Sequence, residues 1–235
     1  MPGGRPGAVL GVEKQSCLPK NFCEASPPQN RTNAVKINIR PSRADDYRGC
    51  EELVRDAFWD LYRPGCVEHL ILHQARTSPD LVLDLIAETE TELLGALVAT
   101  RAGVVDSAEV AREVLYLGPL AVRPDHQGRG IGSQLMSHAL AKATELGFGG
   151  AFLYGDPGYY ARFGFANAAT WAVTTPDGLN FDAFMGVDLR PDGLTGVAGR
   201  LLESSAFEVD PSRLIEFDDG FTPREKHILP GQFGQ

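Results

Sequence analysis

Cysteine is scarce in this 235-residue chain, and Cys17, Cys23, Cys50 and Cys66 form no C-x-x-C pair. That excludes the usual zinc and dithiol redox spacings. Reduced thiols in a cytoplasmic protein are the expected state. No apolar run approaches the ~20 residues of a membrane span. The N-terminus lacks the basic, apolar and cleavage segments of a secretory signal, so the sequon Asn30-Arg31-Thr32 reads as a chance match. Positive charge is short as well. Lys and Arg total 22 against 31 Asp and Glu, a formal net charge of -9. Without a local Lys/Arg cluster, such a chain repels nucleic acid and anionic membranes, and neither is expected as a partner. The same acidity is compatible with a cationic amine substrate.

What is present suits a globular α/β protein. The hydrophobic fraction is 43% and the charged fraction 23%, as in ordinary soluble domains. The length accommodates one sizeable domain with an appendage. Residues 1–34 are rich in Gly, Pro, Ser, Asn and Gln without hydrophobic period, and read as a disordered tail. Regular structure is expected from Val35-Lys36-Ile37-Asn38-Ile39, an alternating strand. A helix is predicted over 44–58, with Ser42 as its cap and Cys50, Leu53, Val54 and Ala57 on one face. A second helix is predicted over 66–76, and strands over 80–89 and 93–104. The run from Leu93 to Ala99 has no polar side chain, which predicts a central strand.

The stretch Val114 to Val122 reads as a buried strand, yet it carries Gly118-Pro119 in its middle. Proline cannot donate to a ladder and belongs at a bulge or an edge. Backbone groups there are expected to lack a neighbouring strand and to need another partner, such as a ligand. A helix follows over 130–146, with Ile131, Leu135, Ala139, Ala143 and Leu146 on one face and Gly147 as its stop. Then come a strand over 150–154, a short helix near 159–162, and strands near 170–174 and 184–187. Residues 191–235 read as a C-terminal extension with one or two short elements.

Between the Pro-bearing strand and the amphipathic helix lies Gln127-Gly128-Arg129-Gly130-Ile131-Gly132. Glycine permits unusual dihedrals and close backbone approach to a bulky anion. The first amides of a helix have no intrahelical acceptor, and the helix dipole favours negative charge there. Together these make a pyrophosphate cradle, to which Arg129 adds a cation. The spacing is not the G-x-G-x-x-G of dinucleotide folds, and no Lys follows as in a P-loop. Tight packing of helix on strand is the alternative use of these glycines.

At this point the residues resemble a known family. Leu117-Gly118-Pro119-Leu120-Ala121-Val122-Arg123-Pro124 followed by Gln127 to Gly132 is similar to the CoA-binding signature of the GNAT N-acetyltransferases, Q/R-x-x-G-x-G/A after a strand. Gly155-Asp156-Pro157-Gly158-Tyr159-Tyr160-Ala161-Arg162-Phe163-Gly164-Phe165 resembles the family's later motif, a Tyr before a Gly-Phe pair. The likeness spans roughly 37–189 and implies a GNAT domain over 35–190. The implied fold is α/β, with a mixed, mainly antiparallel central sheet, a splayed strand pair and helices on both faces. The implied activity is acetyl transfer from acetyl-CoA, a cosubstrate, to an amine of a small molecule or protein, without a metal. Backbone groups of Leu120, Ala121 and Val122 would face the pantetheine arm, and the amides from Gly128 to Ser133 the pyrophosphate.

The same resemblance makes Tyr160 the acid that protonates the leaving sulfur, with Tyr159 shaping the pocket. Where many members carry a Glu base on the splayed strand, this chain has Tyr116, a departure. Glu113 is the nearest acid and the candidate base; a water chain is the alternative. His69 and His73, spaced i and i+4, lack the context of a zinc site and are expected to pack in the core or on the surface, with facing the acceptor site as the alternative, while His126 and His138 read as surface residues. Phe58, Trp59, Tyr62 and Phe165 either line an apolar pocket or sit in the core. The alternative functions are a non-catalytic acyl-CoA-sensing module and, further off, a nucleotide-dependent enzyme. The extension either closes the acceptor site or forms a homodimer interface.

Overall fold

The structure, a computed structural model, describes residues 36–232. The reading of residues 1–34 as a tail, with Cys17 and Cys23, lies outside the described residues. The chain runs through strands β1 (Asn38–Pro41), β2 (Leu81–Glu88), β3 (Leu93–Val105), β4 (Ala111–Val122), β5 (Gly150–Tyr154), β6 (Ala166–Asn167), β7 (Val173–Thr174), β8 (Phe184–Asp188) and β9 (Gly199–Leu202). The α-helices are α1 (Tyr47–Phe58), α2 (Glu68–Thr77), α3 (Ile131–Glu145), α4 (Pro157–Tyr160) and α5 (Pro211–Asp218). The sheet order is β1-β2-β3-β4-β5-β8-β6, and β9 pairs with both β3 and β7. Among the described residues, only β4–β5 and β7–β9 are parallel. Short turns join the antiparallel β2–β3–β4 meander, as antiparallel pairing allows.

Alternation along β3 sorts the core into layers. Leu97 and Ala99 face a cluster with Leu115, Leu135, Met136 and Ala139, so α3 covers that face. Ala96 and Val98 face Cys50, Leu53, Val54 and Leu72, so α1 and α2 cover the other. Farther along that second face, Ala102 and Val104 join Tyr116, Phe152, Phe184 and Leu201. From Leu94 to Ala99 the run is buried on both faces, the expected consequence of having no polar side chain.

Several local expectations change. Ser42 does not cap α1; its hydroxyl bonds Asp84, and a 3₁₀ turn over Ala44–Asp46 precedes the helix. The Arg43 amide instead donates to Asp46 Oδ2 at 2.7 Å, the reach-back from three positions on that a capping box uses. The strand placed near 170–174 starts instead in a 3₁₀ turn over Ala168–Trp171 and shrinks to the two residues of β7. Residues after 190 do more than append short elements. β9 enters the central sheet beside β3, with Gly103 opposite Leu202 and Val104 opposite Leu201.

Candidate active site

β4 is where the sheet opens. Against β3 its register runs Leu97 opposite Leu120, then Ala99 opposite Leu117, so Gly118 and Pro119 together face one residue, Val98. This is a bulge of one extra residue, placed where the sequence puts the residue that cannot donate. On its other edge β4 pairs with β5 only at Leu115 with Ala151 and Tyr116 with Phe152. Beyond Tyr116, β5 turns to β8 alone, with Leu153 opposite Met185 and Tyr154 opposite Phe184. From Leu117 to Val122, the β5-facing edge of β4 therefore has no strand beside it. Those are the backbone groups that the Gly-Pro insertion led one to expect free.

The glycine loop sits at the end of this open edge. Its start is anchored: Arg123 donates its amide to Leu94 O at 3.0 Å, and its guanidinium bridges Glu92 and Asp125, each at 2.7 Å. Gln127 Nε2 bonds back to Val122 O at 3.1 Å, tying the loop to β4. Gly128 and Gly130 hold φ of +73° and +80°, a region closed to most side chains. Gly130 caps α3, and the loop from Gln127 to Gly130 leading into it is exposed. Gly132 serves differently: a Cβ there would lie 2.8 Å from Tyr159 Oη. Two of the three glycines thus serve backbone conformation and the third close approach.

Past the mouth of the splay lies α4, capped by Asp156, which accepts from the Gly158 amide at 2.9 Å. Tyr160 packs its ring flat against Gly155 and edge-on to Phe165 at 5.7 Å, with Tyr159 at 4.9 Å. Burial, reinforced by Tyr159, Tyr62 and Asp156, pushes the Tyr160 phenol well above its ordinary range. Its hydroxyl therefore stays protonated at any working pH. The loop after α1 brings Tyr62 into electrostatic range of Tyr160 and Asp156.

Sequence-selected residues separate into those gathered here and those kept apart. Leu120, Ala121, Val122 and the loop from Gln127 to Ser133 adjoin the splay; Tyr160 packs against the same core cluster as Leu120 and Val122. Glu113 lies three positions before Tyr116, at the outer end of β4, exposed and paired to Arg101 at 3.4 Å. His69 and His73 pack elsewhere. His69 is fully buried between Phe217 and Phe221, 3.0 Å from Asp218, and His73 lies 2.9 Å from Glu51. His126 pairs with Asp125 at 3.0 Å. Phe165 is core, while Trp59 lies outside the splay under Arg55, with Nε1 bonded to Glu225 O at 3.0 Å.

The sequence reading missed Glu203. It follows β9 directly, and its half-buried carboxylate lies within electrostatic range of the Tyr154 phenol. Burial raises this carboxyl above the usual range, offset only in part by Tyr154. Tyr116, almost wholly enclosed, senses Glu203, Tyr154 and Tyr160 together, and its own phenol is pushed far up, first by burial. Phe207 packs edge-on to Tyr116 at 4.7 Å. The one available signal was an acid immediately after an apolar pair, Leu201-Leu202, too common a pattern to single out.

Comparison with known proteins gives concordant findings. Residues 47–165 match the sequence model of the acetyltransferase (GNAT) family. An uncharacterized N-acetyltransferase of Escherichia coli K12, YhbS, is 29% identical over 162 residues, spanning 68% of this chain and 92% of that protein. The crystal structure of E. coli YhbS in complex with CoA superposes with a TM-score of 0.67 at 26% identity, covering 75% of this chain and 94% of that one. A GNAT family acetyltransferase from Brucella melitensis in complex with acetyl-CoA gives 0.61 at 27% identity, covering 74% and 99%.

Proposed function

The chain belongs to the GNAT family of acetyltransferases, and from that premise we propose that it moves the acetyl group of acetyl-CoA onto a primary amine, by direct attack within a ternary complex. The observation that carries this reading is the open edge of β4 beyond Tyr116, running into the glycine loop and the first amides of α3. An extended chain of amides ending in a pyrophosphate finds complementary groups along that line: backbone donors and acceptors from Leu120 to Val122, then loop and helix amides from Gly128 to Ser133. Arg129, exposed on the loop, adds a cation for a phosphate. In this reading the catalytic domain spans 35–190, completed by β9 from the segment 191–235.

When bound, acetyl-CoA supplies an activated thioester. The chain's residues supply the rest. An amide near Leu120 faces the place where negative charge develops on the carbonyl oxygen, and being fixed in the bulge it needs no reorganisation to do so. Tyr160 holds a proton for the departing sulfur, and its enclosed ring keeps that proton from bulk water. A cytoplasmic location belongs to this reading, in keeping with Cys50 and Cys66, both buried and free. The deciding measurement is calorimetric titration with acetyl-CoA, using ATP and NAD as controls. Micromolar binding of acetyl-CoA alone is expected. Its absence would overturn the reading and leave the glycines as packing devices.

A further inference from the structure

The residue that removes the amine's proton has no counterpart on β4, where Tyr116 stands. Glu113 is exposed and occupied by Arg101. The sheet itself indicates where to look. Side chains of one face alternate, so β9 residues in step with buried Leu201 share its face. That face holds Leu201, Val104, Tyr116, Phe152 and Phe184. Glu203 is the first residue past β9, between Leu201 and Phe207, which both pack on this cluster, and Tyr154 is two beyond Phe152. The segment leaving β9 thereby brings a carboxylate to the aromatic side of the splay, where Tyr116 packs edge-on to Tyr154 at 5.8 Å.

Resting on the reading of the chain as an amine acetyltransferase, we infer that Glu203, beside Tyr154, seats the acceptor's ammonium and takes its proton, and that the acceptor is a primary amine on an apolar or aromatic body. The recognition chemistry follows from the neighbours. Tyr154 is 38% exposed and stacks on Phe181, itself 47% exposed, at 5.6 Å between centroids. Tyr116 and Phe207 form the inner wall. An aromatic lip around a single half-buried carboxylate suits one ammonium with an apolar flank, through charge and cation–π attraction. A carboxylate whose basicity burial raises suits this proton transfer.

The nitrogen must lose two protons. The first passes from the ammonium to the Glu203 carboxylate and on to water, freeing the lone pair for attack. The second leaves as the C–N bond forms and the C–S bond breaks, and is balanced at the sulfur by the proton that Tyr160 gives and then regains. No oxidant or further reactant is needed. The groups facing Glu203 that also titrate are Tyr154 and Tyr116, with Asp177 acting on Tyr154. Both phenols are neutral across the working range, so an acidic limb in the rate profile belongs to Glu203.

The test compares the wild-type chain with Glu203→Gln, Glu203→Asp and Tyr154→Phe, using 2-phenylethylamine, n-hexylamine and spermidine as acceptors and a free-thiol readout. Acetyl-CoA affinity by calorimetry, expected unchanged in every variant, separates this inference from the underlying one: if wild type fails to bind acetyl-CoA, the family-based reading fails first. With binding intact, Glu203→Gln should lower kcat/KM about 100-fold or more, erase the acidic limb and raise the amine KM. Glu203→Asp should restore part of the rate, and Tyr154→Phe should shift the limb. The apolar amines should outperform spermidine. Unaltered kcat/KM and an intact acidic limb in a folded Glu203→Gln would overturn the proton-acceptor role. Preference for spermidine would overturn the acceptor class.

Discussion

The hydroxyl of Tyr159 occupies the space that a side chain on Gly132 would need, 2.8 Å from the Cβ position. That contact locks the first turn of α3 to α4, and so fixes the distance between the phosphate loop and Tyr160. The loop and the candidate acid come from separate motifs almost thirty residues apart in sequence. One small residue and one phenol hold them in register.

Substitutions in the loop should therefore divide by position. Gly132→Ala must displace Tyr159 and crowd Val122 Cγ2, 3.4 Å from the new methyl. Turnover is expected to drop about tenfold or more as α4 shifts, since small displacements of positioned groups are costly. Gly128→Ala meets open space but pays roughly 1 kcal/mol or more for φ of +73°. It should weaken acetyl-CoA binding while leaving kcat near wild type. Calorimetric Kd and saturating kcat on the two variants check the division; identical profiles would show that the loop acts as one unit.

Tyr160→Phe removes a hydroxyl without removing the ring that packs on Gly155 and Phe165. Loss of an acid of this kind is expected to lower kcat by about 100-fold or more. Binding of acetyl-CoA and the melting temperature should stay put. Because burial raises the wild-type phenol, the hydroxyl stays protonated up to its elevated pKa, and the wild-type rate should show no basic limb from Tyr160 between pH 7 and 9. Such a limb, vanishing in the Phe variant, would show an exposed, ordinary phenol.

These expectations also mark what the sequence discloses. β4, the loop, α3 and Gly147 were legible because each is encoded locally: a Gly-Pro insertion in an apolar run, glycines at a helix start, a 3.6-residue period and a stop at φ +89°. The placement of β9 was not. Gly199-Arg200-Leu201-Leu202 is too short to show alternation, and its partner β3 lies about a hundred residues earlier, so only tertiary packing selects the pairing. Glu203 was invisible for the same reason: its partial burial depends on where β9 is placed. Ser42 went astray because a long-range acid, Asp84, competes for its hydroxyl better than the helix end does.

Stability should fall as pH drops from about 6.5 toward 4. His69 is fully enclosed, and burial lowers its pKa to about 4 despite the nearby Asp218. The unfolded imidazole titrates near its ordinary value, so in that window the unfolded state binds the extra proton and the folded state does not. Stability therefore rises with pH across it and levels off above, with an effect on the order of 3 kcal/mol. Denaturant melts at pH 7 and pH 4.5 measure it. His69→Gln should flatten the difference while lowering stability at pH 7, since Asp218 also anchors Arg55 at 3.1 Å and keeps α5 in place.

The last prediction concerns the joint between β9 and β3. Gly199 has φ of +133°, and a side chain there would collide with the carbonyl of Val105. Gly199→Ala should lift the start of β9 from β3 and loosen the placement of Glu203 four residues on. The CoA side is held independently, because β4 pairs with β3 through Leu120 and Leu97 on the opposite edge. The expected result is selective: the amine KM rises about tenfold, one displaced charged contact being worth roughly 1.4 kcal/mol or more, and acetyl-CoA affinity does not change. Leu202→Thr, at an exposed position of the same strand, should leave both constants alone and so controls for general damage to β9. Should a folded Gly199→Ala keep its amine KM, the pairing of β9 with β3 would not be what positions Glu203, and that task would pass to the turn from Ser205 to Phe207 that packs on Tyr116.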